Sequence, residues 1–125
     1  MTPTLQPTPR EMEILKVLWD IGPAGVREVY RRLAEQQDED LAYNTVQTLL
    51  RIMEDKGLVA HAVEGRAFIY RPLFTRESSL LGFVERVFDG AADQLVLALL
   101  KTEQLSAKEL ERLQNQIEAA RKPKR

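Results

Sequence analysis

The stretch YNTVQTLLRIMEDKG, residues 43–57, has an apolar and a polar stripe at the spacing of an α-helix. The apolar stripe consists of Val46, Leu49, Leu50 and Met53. The polar stripe on the opposite side consists of Asn44, Gln47, Thr48 and Arg51. Exposed helix faces in a chain with 30% charged residues usually carry Glu and Lys, which favour the helix and keep the protein soluble. A face made of amides, a hydroxyl and a guanidinium therefore indicates a role beyond solubility.

Two further helices are predicted upstream of this stretch. The first begins with Thr8 as its cap and Glu11 as the partner in a capping box, and it ends at Gly22. Its apolar face is expected to consist of Met12, Leu15, Leu18 and Trp19. The second helix carries Val26, Val29, Tyr30 and Leu33 at helical spacing and ends in the polar run QQDED, residues 36–40. The third helix ends at Gly57, which suits the position after a helix C-terminus.

After Gly57 the pattern changes to that of β-strands. Residues 58–62 and 66–70 are predicted as two short strands around Val63, Glu64 and Gly65, where the glycine can adopt the positive φ of a tight turn. Helices followed by a hairpin in this order are typical of a winged helix-turn-helix, in which the hairpin is the wing. We therefore predict a mainly α fold with a small β-hairpin, with the winged domain in residues 1–71 and order from about residue 8.

Residues 72–125 are predicted to form a helical segment with a frayed basic tail, KPKR. Helices are expected to begin at Thr75 and at the capping box that opens with Ser106, and the run LVLALL is apolar nearly all round. The segment is too small to bury its own apolar residues, so we expect a second copy of the chain to cover them in a two-fold homodimer. The alternative is that these helices fold back on the winged domain of their own chain. The expected dimerisation residues are Leu81, Val84, Phe88, Leu95, Val96, Leu99, Leu100, Leu110, Leu113 and Ile117.

The composition limits the function classes. The chain of 125 residues has no cysteine, which excludes disulfides, zinc–thiolate sites and cysteine nucleophiles. Its one histidine, His61, is not accompanied by a Walker A, GxGxxG or HExxH motif, so we expect no enzyme activity, metal site or cofactor. The longest apolar run, residues 95–100, is far shorter than the roughly 20 residues of a membrane span, and there is no apolar signal core. We expect a cytoplasmic protein without membrane insertion.

The polar face of the third helix suits DNA. In a helix-turn-helix the second helix of the motif lies in the major groove, where amides, hydroxyls and guanidinium groups read base edges. The predicted DNA-contacting residues are Tyr43, Asn44, Thr45, Gln47, Thr48, Arg51 and, on the wing, Arg66. A basic stripe on the second helix, Arg27, Arg31 and Arg32, suits the phosphate backbone, whereas Glu54 and Asp55 would oppose DNA unless the helix leaves the groove there. The alternative interpretation is a neutral surface helix without a partner.

The chain resembles a known family in the segments PREMEILKVLW, VREVYRRL, YNTVQTLLRIMEDKGLV and EGRAFIYRPL. These are similar to the penicillinase-repressor (BlaI/MecI-type) family of bacterial transcription regulators, and DGAADQLVLALLKTEQLSAKELERL is similar to the dimerisation segment of that family. The resemblance implies a winged-helix homodimer that represses promoters by binding a two-fold-symmetric double-stranded DNA operator. It also implies DNA contacts at residues 43–48, at Arg51 and at Gly65 and Arg66 of the wing.

The chain departs from the family pattern in three places. Leu41 and Ala42 stand where better-known members have Trp-Ser, and Ala98-Leu99 stands where those members are cut at Asn-Phe after a membrane metalloprotease sensor is triggered. The cysteine cluster of a copper-responsive branch is absent. An unidentified protease or signalling partner therefore remains an open possibility. Two rival functions also remain, a winged-helix protein–protein interaction module without DNA binding and a regulator that responds to a small ligand bound between its domains.

Overall fold

The computed structural model describes residues 6–36 and 41–121. The elements are α1 Pro9–Ile21, β1 Ala24–Gly25, α2 Val26–Gln36, α3 Tyr43–Asp55, β2 Val59–Glu64, β3 Ala67–Pro72, α4 Arg76–Phe88, α5 Ala92–Lys101 and α6 Ala107–Arg121. The chain divides into two compact units, the first ending at Gly82 and the second beginning at Phe83, so that the division falls within α4. The predicted frayed tail and most of the polar run after α2 lie outside the described residues.

The predicted helices of the first unit are confirmed, and their ends have the expected chemistry. At the start of α1, the Glu11 backbone N–H donates to Thr8 Oγ1 at 3.2 Å, and the Thr8 N–H donates to Glu11 Oε1 at 2.9 Å. This is the reciprocal capping box that the sequence predicts. After α3, Gly57 has a φ of 80°, which glycine adopts without steric cost and which ends the helix.

The strands form a three-stranded antiparallel sheet in the order β1-β3-β2. The hairpin β2–β3, called the wing below, corrects the predicted strand ends, because Val63 pairs with Phe68 and Glu64 pairs with Ala67. Only Gly65 and Arg66 form the turn, and Gly65 has the positive φ of 63° that two-residue hairpins favour at their first turn position. Strand β1 was not predicted, because two residues are too short to show an alternating pattern.

The core of the first unit lies between α1, α2, α3 and the base of the sheet. Val46, Leu50 and Met53 of α3 are completely buried, and Leu49 packs against the same cluster half-buried, so the predicted apolar stripe is confirmed. The predicted face of α1 was partly wrong, because the helix contacts both α2 and β3 and therefore buries a wider surface. The completely or almost completely buried residues of α1 are Glu11, Ile14, Leu15, Val17 and Leu18, whereas Met12 and Trp19 are half-buried.

The burial of Glu11 was not predicted, because the capping box alone already accounts for a glutamate at this position of α1. The residue is only 1% exposed, and its two carboxylate oxygens accept hydrogen bonds from Lys56 Nζ at 2.9 and 3.1 Å. Burial acts to raise the pKa of Glu11, but hydrogen bonds from the Thr8 backbone and from Lys56 outweigh it, so the pKa lies below its usual value. The carboxylate thus joins the start of α1 to the end of α3.

The second unit contains α5, α6 and the C-terminal part of α4, whose N-terminal part belongs to the first unit. As predicted, Thr75 caps α4, since its Oγ1 accepts from the Ser78 N–H at 3.0 Å. Ser106 and Glu109 form the predicted capping box, with the Ser106 N–H donating to Glu109 Oε1 at 2.9 Å. The hydrogen bonds from Ser106 lower the pKa of Glu109. Neither α5 nor α6 has a buried residue.

The contact between Glu11 and Lys56 can be tested with Glu11→Gln. Glutamine can still accept the Thr8 N–H in the capping box, but it carries no charge opposite Lys56. We expect Glu11→Gln to lower the free energy of unfolding at pH 7 by about 1–3 kcal/mol, measured by urea denaturation. Because the folded-state pKa of Glu11 lies below the unfolded value of 4.5, the stabilisation is present above pH 4.5 and is lost as pH falls through the folded-state pKa. The difference between wild type and variant should shrink over that range.

Glu35→Gln is the matched control, since it removes an exposed carboxylate from α2. It should change the free energy of unfolding by less than about 0.5 kcal/mol. Equal stability of wild type and Glu11→Gln at pH 7 would show that the ion pair contributes nothing.

Candidate nucleic-acid interface

The polar face of α3 is free to contact a partner. Asn44, Thr45, Thr48 and Arg51 are exposed, and Gln47 is half-buried. Among residues 6–36 and 41–121, no hydrogen-bond partner is found for the side chains of Asn44, Thr45, Gln47 or Thr48. Their donors and acceptors can therefore bind groups outside the chain.

A groove of about 450 Å³ lies beside this face, between α3, the start of α2 and strand β3. Tyr43, Gln47 and Arg51 line it from α3, and Arg66 lines it from the wing. Arg27 of α2 is a further lining residue, so guanidinium groups from three elements border one concave surface. Such a surface is suited to bind phosphate, because guanidinium groups form bidentate hydrogen bonds to it.

The predicted DNA-contacting residues are therefore divided between two adjacent surfaces of α3. Tyr43, Gln47, Arg51 and Arg66 border the groove. Asn44, Thr45 and Thr48 instead line a shallow, separate depression together with Leu49. The structure thus brings the arginines of α3 and the wing together, and it leaves the small polar side chains on an open face.

Tyr43, at the start of α3, is held by α2. Its ring lies edge-on to the ring of Tyr30, with centroids 5.7 Å apart, and Arg27 Cζ lies 5.8 Å from the Tyr43 centroid. This cation–π contact keeps the Arg27 guanidinium close to the groove. Sequence periodicity could not have identified Arg27 in this position, because the contact depends on how α2 packs against α3.

The first turn of α3 has no side-chain cap. Ala42 occupies the cap position and forms no side-chain hydrogen bond. The first backbone N–H groups of a helix have no partner within the helix and carry a partial positive charge, which favours anions. The replacement of Trp-Ser by Leu41 and Ala42 therefore leaves these amides without a hydroxyl partner.

The basic stripe predicted on α2 is smaller than expected. Arg32 forms an ion pair with Asp20 of α1, which occupies its guanidinium. Arg27 and Arg31 remain exposed on the side of α2 that faces Tyr43. Arg32 could be expected either to contact phosphate or to be a salt-bridged surface residue, and the structure shows the ion pair.

Glu54 contacts the base of the wing. Its carboxylate oxygens lie 2.7 and 2.8 Å from His61 Nδ1, and Oε2 accepts from the His61 backbone N–H at 3.3 Å. The ring of His61 is stacked on Phe68 with centroids 4.2 Å apart. These contacts give His61 a structural role. The residue spacing gave no signal for this contact, which depends on the turn from α3 into β2.

Tyr70 lies beside these groups and was not predicted as a site residue. It is 2% exposed and contributes to the lining of the groove from β3. Burial raises the pKa of Tyr70, the carboxylate of Glu54 raises it further, and the guanidinium of Arg51 opposes this rise. The phenol therefore remains neutral at physiological pH and can donate a hydrogen bond.

The second unit has an apolar surface of its own. The exposed residues among the predicted dimerisation residues are Val96, Leu99, Leu100, Leu110, Leu113 and Ile117 of the second unit, together with Leu81, which precedes the second unit in α4. Phe88 and Leu95 are half-buried, whereas Val84 is only 5% exposed in the single chain and is already covered. Phe83, Val87 and Leu97 are also exposed but were not predicted. Large side chains thus remain in contact with solvent on all three helices.

Residues 6–36 and 41–121 contain no group of three or more His, Asp or Glu side chains that could hold a metal ion. None of the helices in these ranges is long and apolar enough to span a membrane.

The chain is similar to known proteins both in sequence and in structure. Residues 7–119 match the model of the family described as penicillinase repressor. The chain is 30% identical over 112 residues to the penicillinase repressor of Bacillus licheniformis, covering 86% of each. It is 31% identical over 115 residues to the transcriptional regulator BlaI of Mycobacterium tuberculosis, covering 74% of this chain and 82% of the relative. A solution structure of monomeric Bacillus licheniformis BlaI with the blaP half-operator matches with a TM-score of 0.51 and 29% identity, covering 62% of this chain and 93% of that one.

Proposed function

The chain belongs to the penicillinase repressor family, and on that premise we propose that it is a transcriptional repressor that binds double-stranded operator DNA through α3 and the wing. The observation that carries the proposal is the free polar face of α3, which has the hydrogen-bonding groups that read base edges. The solved half-operator complex of a relative with 29% identity supports the same use of the fold. No catalytic step and no cofactor is part of this function.

In the proposed complex α3 lies in the major groove. Asn44 and Gln47 can bind adenine through paired amide hydrogen bonds, Arg51 can bind guanine, and Thr48 can donate, accept or contact a thymine methyl group. Glutamate or aspartate at these positions would be repelled by phosphate, and lysine would add affinity with less base discrimination. The residue types on this face therefore favour sequence-specific binding.

The phosphate contacts are proposed to come from the groove. Arg27 and Arg66 border it, and the uncapped first turn of α3 adds backbone N–H groups. The chain has a net charge of −1, so attraction to DNA depends on this local group of cations rather than on the whole protein. Few phosphate contacts in each chain favour binding to two half-sites at once.

Replacing Thr48 or Arg51 by alanine removes one polar group and leaves the buried stripe of α3 intact. We expect Thr48→Ala and Arg51→Ala each to weaken operator binding by about 1–3 kcal/mol and to relax base preference at one position. The affinities are measured by fluorescence anisotropy at fixed salt, against a duplex selected from a random library and against its single-base variants.

Lys16→Ala is the control for these variants, because it removes an exposed cation from α1 away from the groove. It should bind the same sequences with unchanged affinity. If both α3 variants keep wild-type base discrimination, α3 is not the helix that reads the operator. Binding that ignores duplex sequence and salt, together with tight capture of a protein, would instead favour an interaction module.

We also propose that the second unit forms a homodimer in the cytoplasm, where the operator is found. The exposed leucines of α5 and α6 support this proposal, because isolated helices of this length with uncovered apolar faces are marginal in water. A two-fold dimer presents two reading helices to the two halves of a symmetric operator. The alternative in which these helices cover the winged unit of the same chain predicts a monomer.

Leu99→Glu places a carboxylate on the apolar surface of α5, where burial against a second copy would remove its hydration. We expect this variant to sediment as a monomer and to lose operator binding at physiological salt. Gln94→Glu introduces the same charge on the same helix at an exposed polar position and should remain dimeric. A dimeric Leu99→Glu variant would show that the interface lies elsewhere.

A further inference from the structure

Glu54 and His61 join the recognition helix to the wing. Glu54 is in the last turn of α3 and His61 is in β2, and the carboxylate accepts hydrogen bonds from both the ring and the backbone of the histidine. The two side chains are 32% and 29% exposed, so they are partly shielded from water. Hydrogen bonds to a charged group in such a setting are among the stronger ones in proteins.

His61 also contacts two aromatic residues of strand β3 in the wing. Its ring is stacked on Phe68 at 4.2 Å and tilted towards Tyr70 at 5.7 Å. The three rings share one face of the sheet, because His61 is paired with Tyr70, and Phe68 is two residues from Tyr70 on the same strand. Contacts therefore run from Glu54 through His61 to Phe68, which lies two residues from Arg66 at the tip of the wing.

The outer part of the wing has little other support. Val63 is 60% exposed and Phe68 is 46% exposed, and within residues 6–36 and 41–121 no element other than β2 pairs with β3 beyond Ile69. A two-stranded hairpin is only marginally stable by itself. The contacts of Glu54 and His61 thus join the wing to α3 in addition to the core packing of Val59 and Tyr70 at its base.

We propose that Glu54 and His61 are positioning residues that hold the wing at a fixed distance from α3, so that Arg66 and the polar face of α3 contact the same DNA together. This inference rests on the proposed function. A wing held in place before binding loses less conformational freedom in the complex, which increases the contribution of Arg66 to affinity. The carboxylate of Glu54, which could have repelled phosphate, instead orients the histidine.

The test is a double-mutant cycle in the full chain, read as operator affinity by fluorescence anisotropy at fixed salt. Arg66→Ala is expected to weaken binding about tenfold in the wild-type background and about twofold or less in the Glu54→Ala background. Thr48→Ala should weaken binding by the same factor in both backgrounds, because its position on α3 does not depend on the wing. A general loss of stability would reduce both effects alike, and thermal unfolding of each variant reports that stability.

Three further backgrounds complete the experiment. His61→Phe keeps a ring on Phe68 but removes Nδ1, and it should reduce the effect of Arg66→Ala as Glu54→Ala does. Glu54→Gln keeps an oxygen that can accept from His61 and should restore the effect. Asp55→Ala removes the neighbouring exposed carboxylate of α3 and should leave the tenfold effect of Arg66→Ala unchanged, to within about twofold.

If Arg66→Ala weakens binding by the same factor in the wild-type, Glu54→Ala and His61→Phe backgrounds, the two sites are independent and the inference is overturned. The proposed function survives that result, because the wild-type chain still binds its operator. Failure of the wild-type chain to discriminate between duplexes would overturn the proposed function and, with it, this inference.

Discussion

Burial of one stripe of α3 is the constraint on which the rest of the structure depends. Val46, Leu50 and Met53 are completely enclosed by α1, α2 and the base of the sheet. Exposing any one of these side chains would cost about 1.5–3 kcal/mol, so α3 cannot rotate about its axis within a stable domain. The opposite face, with Thr48 and Arg51, must then point outward, so the packing of the core determines which side chains of α3 are exposed.

The chain has a net charge of −1, so the proposed binding to a polyanion depends on where its charges lie. Glu11 is paired with Lys56, Asp20 with Arg32, and Glu54 with His61. These carboxylates are held by neighbouring side chains, whereas Arg27, Arg51 and Arg66 border the groove. Electrostatic attraction acts over about 8 Å at physiological salt, so the local distribution of charge matters more than the sum.

The sequence predicted what depends on local pattern and missed what depends on tertiary packing. The helices and capping boxes follow from spacing and from a few polar residues, and these predictions are confirmed. Strand β1 pairs only Ala24 and Gly25 with β3, and so short a segment has no period to detect. The sequence did not predict the burial of Glu11 or the pairing of Glu54 with His61. Both contacts depend on the turn after α3, which brings the partners of these two carboxylates next to them. The polar face of α3 was predicted because its residue types are unusual for a solvent-exposed helix face. Its division into a groove and an open face was not predicted.

The exposed apolar helices of the second unit and the small number of cations in the groove both favour the proposed dimer. Helices α5 and α6 have no buried residue, and their leucines remain in contact with water in a single chain. The groove offers only three guanidinium groups, and each neutralised phosphate adds a limited, salt-dependent increment to affinity. The proposed two-fold dimer would cover the apolar helices and double the phosphate contacts in one step, and binding at the second half-site would become intramolecular. A monomer would leave the apolar surface exposed and the DNA affinity low, so the composition of both units favours association.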